Sequence, residues 1–177
     1  MNIIIRRENP PERAISQEIL RQTFGRETEA QLADALRQTA EFNPELSLVA
    51  DRGGEILGYA MFFQASIAAD AQAGTHPPQT AGLAPIAVRP QFQRQGVGER
   101  LVRHGLERCR FVGFDLVFVV GPPRYFSRFG FQPARPLGLE PAFPAGDADF
   151  QAFDLSGKFF GAVKGKISYP NPFRHAS

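Results

Sequence analysis

The chain lacks tryptophan and has one cysteine, two methionines and three histidines among 177 residues. With Cys109 alone, no intrachain disulfide can form, which permits a reducing compartment. The histidines His76, His104 and His175 are scattered, so no metal-ligand spacing exists and no metal is expected. Long hydrophobic runs are also missing; none approaches the ~18 residues of a membrane-spanning helix. The start, Met1 to Arg7, is too short for a signal peptide and reads as a first strand. A strong charge of either sign is absent, the net value being +2. A nucleic-acid binder would concentrate basic residues on one face, so neither nucleic acid nor membrane is an expected partner. A cytoplasmic enzyme or binding protein is the default expectation.

What is abundant is phenylalanine, with 17 copies. These serve a core first and a cleft second. Hydrophobic residues make up 43% and charged residues 21%, an ordinary balance for a folded domain. The length suits a single domain over residues 1–177.

Periodicity outlines the elements. Asn2 to Arg7 reads as a strand. Pro10-Pro11-Glu12 starts a helix carrying Ile15, Ile19, Leu20 and Phe24, and Gly25 stops it. Thr28 to Phe42 reads as a second helix with Leu32 and Leu36 on one face, ended by Asn43-Pro44. Leu46 to Arg52 and Glu55 to Ile67 form a hairpin across Gly53-Gly54, with a bulge expected at Gly58. A loop covers Ala68 to Thr80. Leu83 to Val88 is a strand in which Pro85 predicts a bulge or splay, hence a cleft between parting strands. Val97 to Val112 is an amphipathic helix, and Cys109 on its apolar stripe reads as a buried structural thiol. Leu116 to Val120, apolar throughout, reads as a strand buried on both faces beside a parallel neighbour. A short helix spans Arg124 to Phe129, and a loop spans Pro133 to Gly146. The last strands are Phe150 to Leu155 and Ala162 to Tyr169, with Lys158, Lys164 and Lys166 on an exposed face.

Between the central strand and its helix runs Val88-Arg-Pro-Gln-Phe-Gln-Arg-Gln-Gly-Val-Gly98. A strand, a Gln/Arg/Gly loop and a helix N-terminus make an anion site, because loop N–H groups converge and the helix dipole adds positive potential. Gly96 and Gly98 let a bulky anion approach the main chain. Arg89 and Arg94 either add charge there or stand in solvent.

Gln93-Arg94-Gln95-Gly96-Val97-Gly98 resembles the acyl-CoA pyrophosphate signature of the GNAT acyltransferase superfamily, Gln/Arg-x-x-Gly-x-Gly/Ala. The surrounding order, from an Ile-Ala-Val-x-Pro strand to Arg128-Phe-Gly-Phe131, is similar to the GNAT core over roughly residues 46 to 131. A branch of small bacterial members has a Gly-x-Pro-x-Tyr-Tyr/Phe-x-Arg-Phe-Gly-Phe segment like Gly121 to Phe131. The resemblance implies an α/β (α+β) fold: a mixed, mostly antiparallel sheet with a central splayed parallel pair, flanked by helices. It implies acetyl-CoA as co-substrate. Its pantetheine arm would pair with the backbone of Ile86, Ala87 and Val88, and its pyrophosphate would accept N–H bonds from Gln93, Arg94, Gln95, Gly96, Val97 and Gly98. An amine of a small molecule or a protein would attack the thioester directly.

One departure stands out. Many members place a tyrosine, the acid that protonates the leaving thiolate, four residues before the glycine of the final Gly-Phe. Here that position is Phe126, which is expected to line the donor site. Tyr125 beside it is the expected acid, or else a ring packed against Phe126 and Phe129. One residue is about 100° of helix rotation, which would turn Tyr125 away. No base is assigned; His76 is a base or a solvated loop residue, and Asp147 and Asp149 lie in a loop that either shapes the acceptor site or merely connects. Phe126 also keeps open a catalytically impaired acyl-CoA-binding sensor, and the many phenylalanines a longer acyl donor. The residues leave a homodimer open.

Overall fold

β-Strands with two buried faces form the centre of the chain, and those faces explain its layers. The computed structural model describes residues 2–70 and 76–175. The strands are β1 (Ile4–Arg7), β2 (Phe42–Arg52), β3 (Glu55–Ala69), β4 (Thr80–Val88), β5 (Leu116–Val120), β6 (Gln132–Pro133), β7 (Leu139–Pro141), β8 (Phe150–Asp154) and β9 (Gly165–Ser168). The helices are α1 (Arg13–Phe24), α2 (Thr28–Arg37), α3 (Val97–Val112) and the short α4 (Pro123–Phe126). The main sheet runs β1-β2-β3-β4-β5-β8-β6, and β3 continues past β4 to pair with β9. Its pairs are antiparallel except β4 with β5. The mostly antiparallel sheet with one parallel pair therefore matches the expected fold class.

Side chains of β3 alternate across the sheet. Tyr59, Met61 and Phe63 join the core under α1 and α2, with Ile19, Leu20, Leu32 and Leu36. Leu57, Ala60 and Phe62 join the core under α3, with Leu101, Leu106 and Cys109. β5 splits the same way: Leu116 and Phe118 face one core, Val117 and Val119 the other. This is the strand buried on both faces that its unbroken apolar run predicts.

Several boundaries differ from expectation. The second helix stops at Arg37, and Phe42 already opens β2. A tight turn closes the helix: the Gln38 N–H donates to Ala35 O and the Thr39 hydroxyl to Leu36 O. Asn43 and Pro44 lie in an irregular stretch of β2, between the Phe42–Phe63 and Ser47–Met61 pairs. A proline is tolerated there because no ladder bond is asked of it. The expected loop at Pro133 to Gly146 contains β7, which pairs in parallel with β9. β3 runs two residues further than expected, to Ala69, and β4 starts earlier, at Thr80. Part of the expected loop between them, residues 71–75, lies outside the described residues.

The decisive feature is the parting of β4 and β5. They pair only at Thr80–Leu116, Ala81–Val117 and Gly82–Phe118. Beyond Gly82, β4 shifts register against β3 around Ala84 and Pro85. Proline has no N–H to give a ladder, and the strand leaves β5 at that point.

Candidate active site

The gap between the parted strands opens into a cavity of about 1130 Å³. Its floor is Leu83 to Val88 of β4, facing the end of β5 from Val119 to Pro122. One end is the loop before α3, with Gln93, Arg94, Gly96, Gly98 and Glu99; α4 adds Tyr125 and Phe126, and Arg128 follows. α1 and α2 supply the wall opposite, with Thr23, Phe24, Glu29 and Leu32.

Register decides which backbone groups face this gap. The Arg89 N–H donates to Leu57 O at 2.9 Å. Antiparallel pairing alternates, so Ala87, opposite Tyr59, also directs its N–H and C=O at β3. Ile86 and Val88 therefore direct theirs into the cleft. Ala87 is corrected on this ground: its main chain is committed to β3 and cannot pair with anything in the gap. The Val88 carbonyl already accepts from Thr23 Oγ1 at 3.1 Å and Gln93 Nε2 at 3.0 Å.

The loop before α3 turns sharply. Arg94 takes φ 58° and Gly96 φ 82°, so the chain passes twice through the left-handed region. For arginine that conformation is uncommon and costs about 1 kcal/mol or more. Such a turn points successive N–H groups to one side. The first N–H groups of α3 have no preceding turn to accept them. The Gln93 N–H, by contrast, is directed at Pro90 O, and Gln95 closes the loop through Nε2 to Gln91 O. Val97 is buried in the α3 core and offers only its main chain. A Cβ added to Gly96 meets nothing within 4 Å, so open space lies where it would project.

Arg89 departs from both expectations. Its Nε donates to Ile56 O at 2.9 Å and its Nη1 to Gln22 at 3.1 Å. It pins β3 and α1 together rather than serving the loop. Arg94 is exposed and lines the cleft.

Tyr125 is not turned away. It lines the cleft with Phe126, and a Cβ on Gly98 would lie 2.7 Å from its hydroxyl. Its ring packs edge-on against Phe126 at 4.9 Å, and the Arg128 guanidinium lies 4.7 Å from its centre. Burial raises the Tyr125 pKa above the ordinary phenol value, Arg128 opposes the rise, and Glu99 adds to it. The Phe126 ring is buried against Gly121.

His76 and His175 are exposed and His104 is half-buried; none lines the cleft. Asp147 and Asp149 do not line it either; Asp147 pairs with Arg135. Cys109 is fully buried on α3, and burial pushes its thiol pKa up. Among the described residues no cluster of His, Cys, Asp and Glu could hold a metal. No helix among them is long and apolar enough to cross a membrane. The residues that the sequence reading missed are Thr23, Phe24, Glu29 and Leu32. The one signal was Phe24, a large apolar side chain beside Gly25 that is 41% exposed.

Parted parallel strands beside a glycine-bearing loop make the acyltransferase-type fold that the resemblance implies. Residues 13–131 match the acetyltransferase (GNAT) family model, and the chain belongs to that family of enzymes. It is 30% identical to the uncharacterized N-acetyltransferase YhbS of Escherichia coli K12, over 97% of this chain and 98% of that one. It is 37% identical to the uncharacterized N-acetyltransferase YjhQ of the same organism, over 66% of this chain but 62% of that relative's length. The crystal structure of Escherichia coli YhbS in complex with CoA superposes with a TM-score of 0.87, covering 98% of this chain and 93% of that one. A GNAT acetyltransferase from Brucella melitensis in complex with acetyl-CoA, 28% identical, gives 0.74 over 97% and 98%.

Proposed function

We propose that the cleft binds acetyl-CoA and passes its acetyl group directly to a primary amine of a small molecule or a protein. The observation that carries this reading is the glycine loop at the mouth of the β4–β5 gap, with space beside Gly96 for a pyrophosphate. The donor supplies an activated thioester; the chain supplies position and polarity. Ile86 presents its peptide N–H and C=O along the gap and Val88 its N–H, extending the sheet toward the pantetheine arm. The α3 N-terminus and the loop N–H groups receive the phosphates. Holding thioester and amine together in one cavity replaces an encounter in solution, the largest gain available without a covalent intermediate.

Direct transfer is favoured because the chain's one cysteine is buried in the α3 core and cannot take the acyl group. The neutral amine nitrogen adds to the thioester carbonyl, forming the C–N bond; the adduct gives its N–H proton to water and breaks the C–S bond. The thiolate leaves with the electron pair, and Tyr125 is the proton donor proposed for it. Phe126 at the family's tyrosine position favours a binding module that has lost catalysis; the Tyr125 hydroxyl in the same cleft weighs for turnover.

Gly96→Glu tests the donor site. The variant places a carboxylate where the phosphates belong and strains a φ that favours glycine. Calorimetry of the folded variant is expected to show no acetyl-CoA binding. Unchanged affinity removes the loop from the donor site.

A further inference from the structure

The wall built by α1 and α2 differs in chemistry from the rest of the cleft. Its lining residues are Thr23, Phe24, Glu29 and Leu32. The Thr23 hydroxyl is spent on the Val88 carbonyl. Phe24 and Leu32 are apolar. Glu29 is the wall's one charged group. The other charges on the lining, Arg94, Glu99 and Arg128, come from the anion loop, α3 and the segment after α4.

Glu29 is also oddly partnered. Its side chain is 13% exposed, while that of Arg26, its partner, is 64% exposed. Both carboxylate oxygens accept from Arg26 Nε, at 3.0 and 3.1 Å, and Oε1 accepts from Nη2 as well. Arg26 does not line the cavity. Glu29 therefore borders the cleft while its bidentate cation stands in solvent. An incoming ammonium competes with Arg26 for this carboxylate.

We propose that the acceptor is an amine carried on an apolar or aromatic body, with Glu29 pairing its ammonium and Phe24 and Leu32 holding the body. The proposal rests on the amine-acetylation reading and names the acceptor class for the same site. Glu29 acts here as a specificity residue: it draws the amine to the cleft in its charged form, and the ammonium gives its proton to solvent water before attack. A second carboxylate on the acceptor is repelled by Glu29, and an acceptor without an apolar body forgoes Phe24.

The test uses phenethylamine, phenylalanine and ethanolamine. Each is titrated calorimetrically into protein saturated with CoA, and each is assayed for CoA release from acetyl-CoA. Phenethylamine is expected to bind and to react best. Glu29→Gln is expected to weaken phenethylamine about tenfold or more, in Kd and in KM, with kcat less affected. Arg26→Ala is expected to tighten it, a gain that a merely structural pair would not produce. Equal use of all three amines, or variants that leave phenethylamine binding unchanged, overturns the proposal. So does a protein that binds CoA but not phenethylamine. Failure to bind acetyl-CoA overturns the donor reading instead. Phenethylamine binding that depends on Glu29 without turnover supports the acceptor site and overturns the catalytic reading.

Discussion

Tyr125 shows how far one residue can be misread from a helical frame. A 100° rotation from Phe126 suggests a side chain aimed elsewhere. However, α4 is only four residues long and passes directly into a 3-10 turn at Ser127–Phe129. A single turn lying along the cleft presents two neighbouring side chains to it. The phenol is uncharged at neutral pH, and its burial keeps the proton on still longer as pH rises. Tyr125→Phe is therefore expected to lower kcat by about tenfold or more, the low side of general acid catalysis because a thiolate is a good leaving group. The sign of the pH effect follows from the acid form being the active one. Activity should fall as pH rises through a phenol pKa above about 10, and that limb should vanish in the variant. A pH–rate profile of both proteins checks it; an identical limb in both assigns the titration to another group.

At the scale of elements, the position of α2 matters most, because it brings Glu29 and Leu32 to the cleft. Its C-terminal end is tied down by Arg37, whose side chain is 2% exposed, as is that of Glu8. Arg37 Nη2 donates to Glu8 at 2.9 Å and to the Tyr59 hydroxyl at 3.1 Å. The Ser47 hydroxyl completes the group, donating to Glu8 at 2.9 Å. Arg37→Met would leave the Glu8 carboxylate buried without its cation. A loss of about 3–5 kcal/mol is expected in urea unfolding at neutral pH, because an uncompensated buried charge costs that much. Adding Glu8→Gln should return part of the loss. The spacing of Leu32 and Leu36 marked the helix and its buried face. Its end was not legible, since Phe42 continues an apolar pattern that a helix or a strand could use. Pairing with Phe63 across β3 decides for the strand.

At the scale of the molecule, the sheet carries a helical layer on each face and the cleft at its parted strands. A ligand that binds only the folded cleft stabilises the whole fold by mass action. Acetyl-CoA at about 100 times its Kd should add about 2.7 kcal/mol, or roughly 5–10 °C in Tm for a chain of this size. Thermal melts with and without it check this. The Gly96→Glu protein should show no such shift.

Local chemistry was enough to read α3, β5 and the glycine-bearing loop between β4 and α3. An amphipathic stripe, an apolar run and two glycines before a helix each carry their meaning in adjacent residues. Pro85 likewise marked the parting of the strands, because a missing N–H is a local fact. The register of β4 was beyond such reading: whether Ala87 or its neighbours face the gap depends on pairing with Tyr59, far along the chain. The same holds for Arg89, whose partners are Ile56 and Gln22. Glu29 and Phe24 looked like surface residues of two helices. By itself, the sequence determined the family fold and the glycine-bearing turn before α3, because short-range patterns specify strands, helices and turns. Only the tertiary structure decided what faces the opposite wall, because packing brings α1 and α2 across a gap that no spacing along the chain encodes.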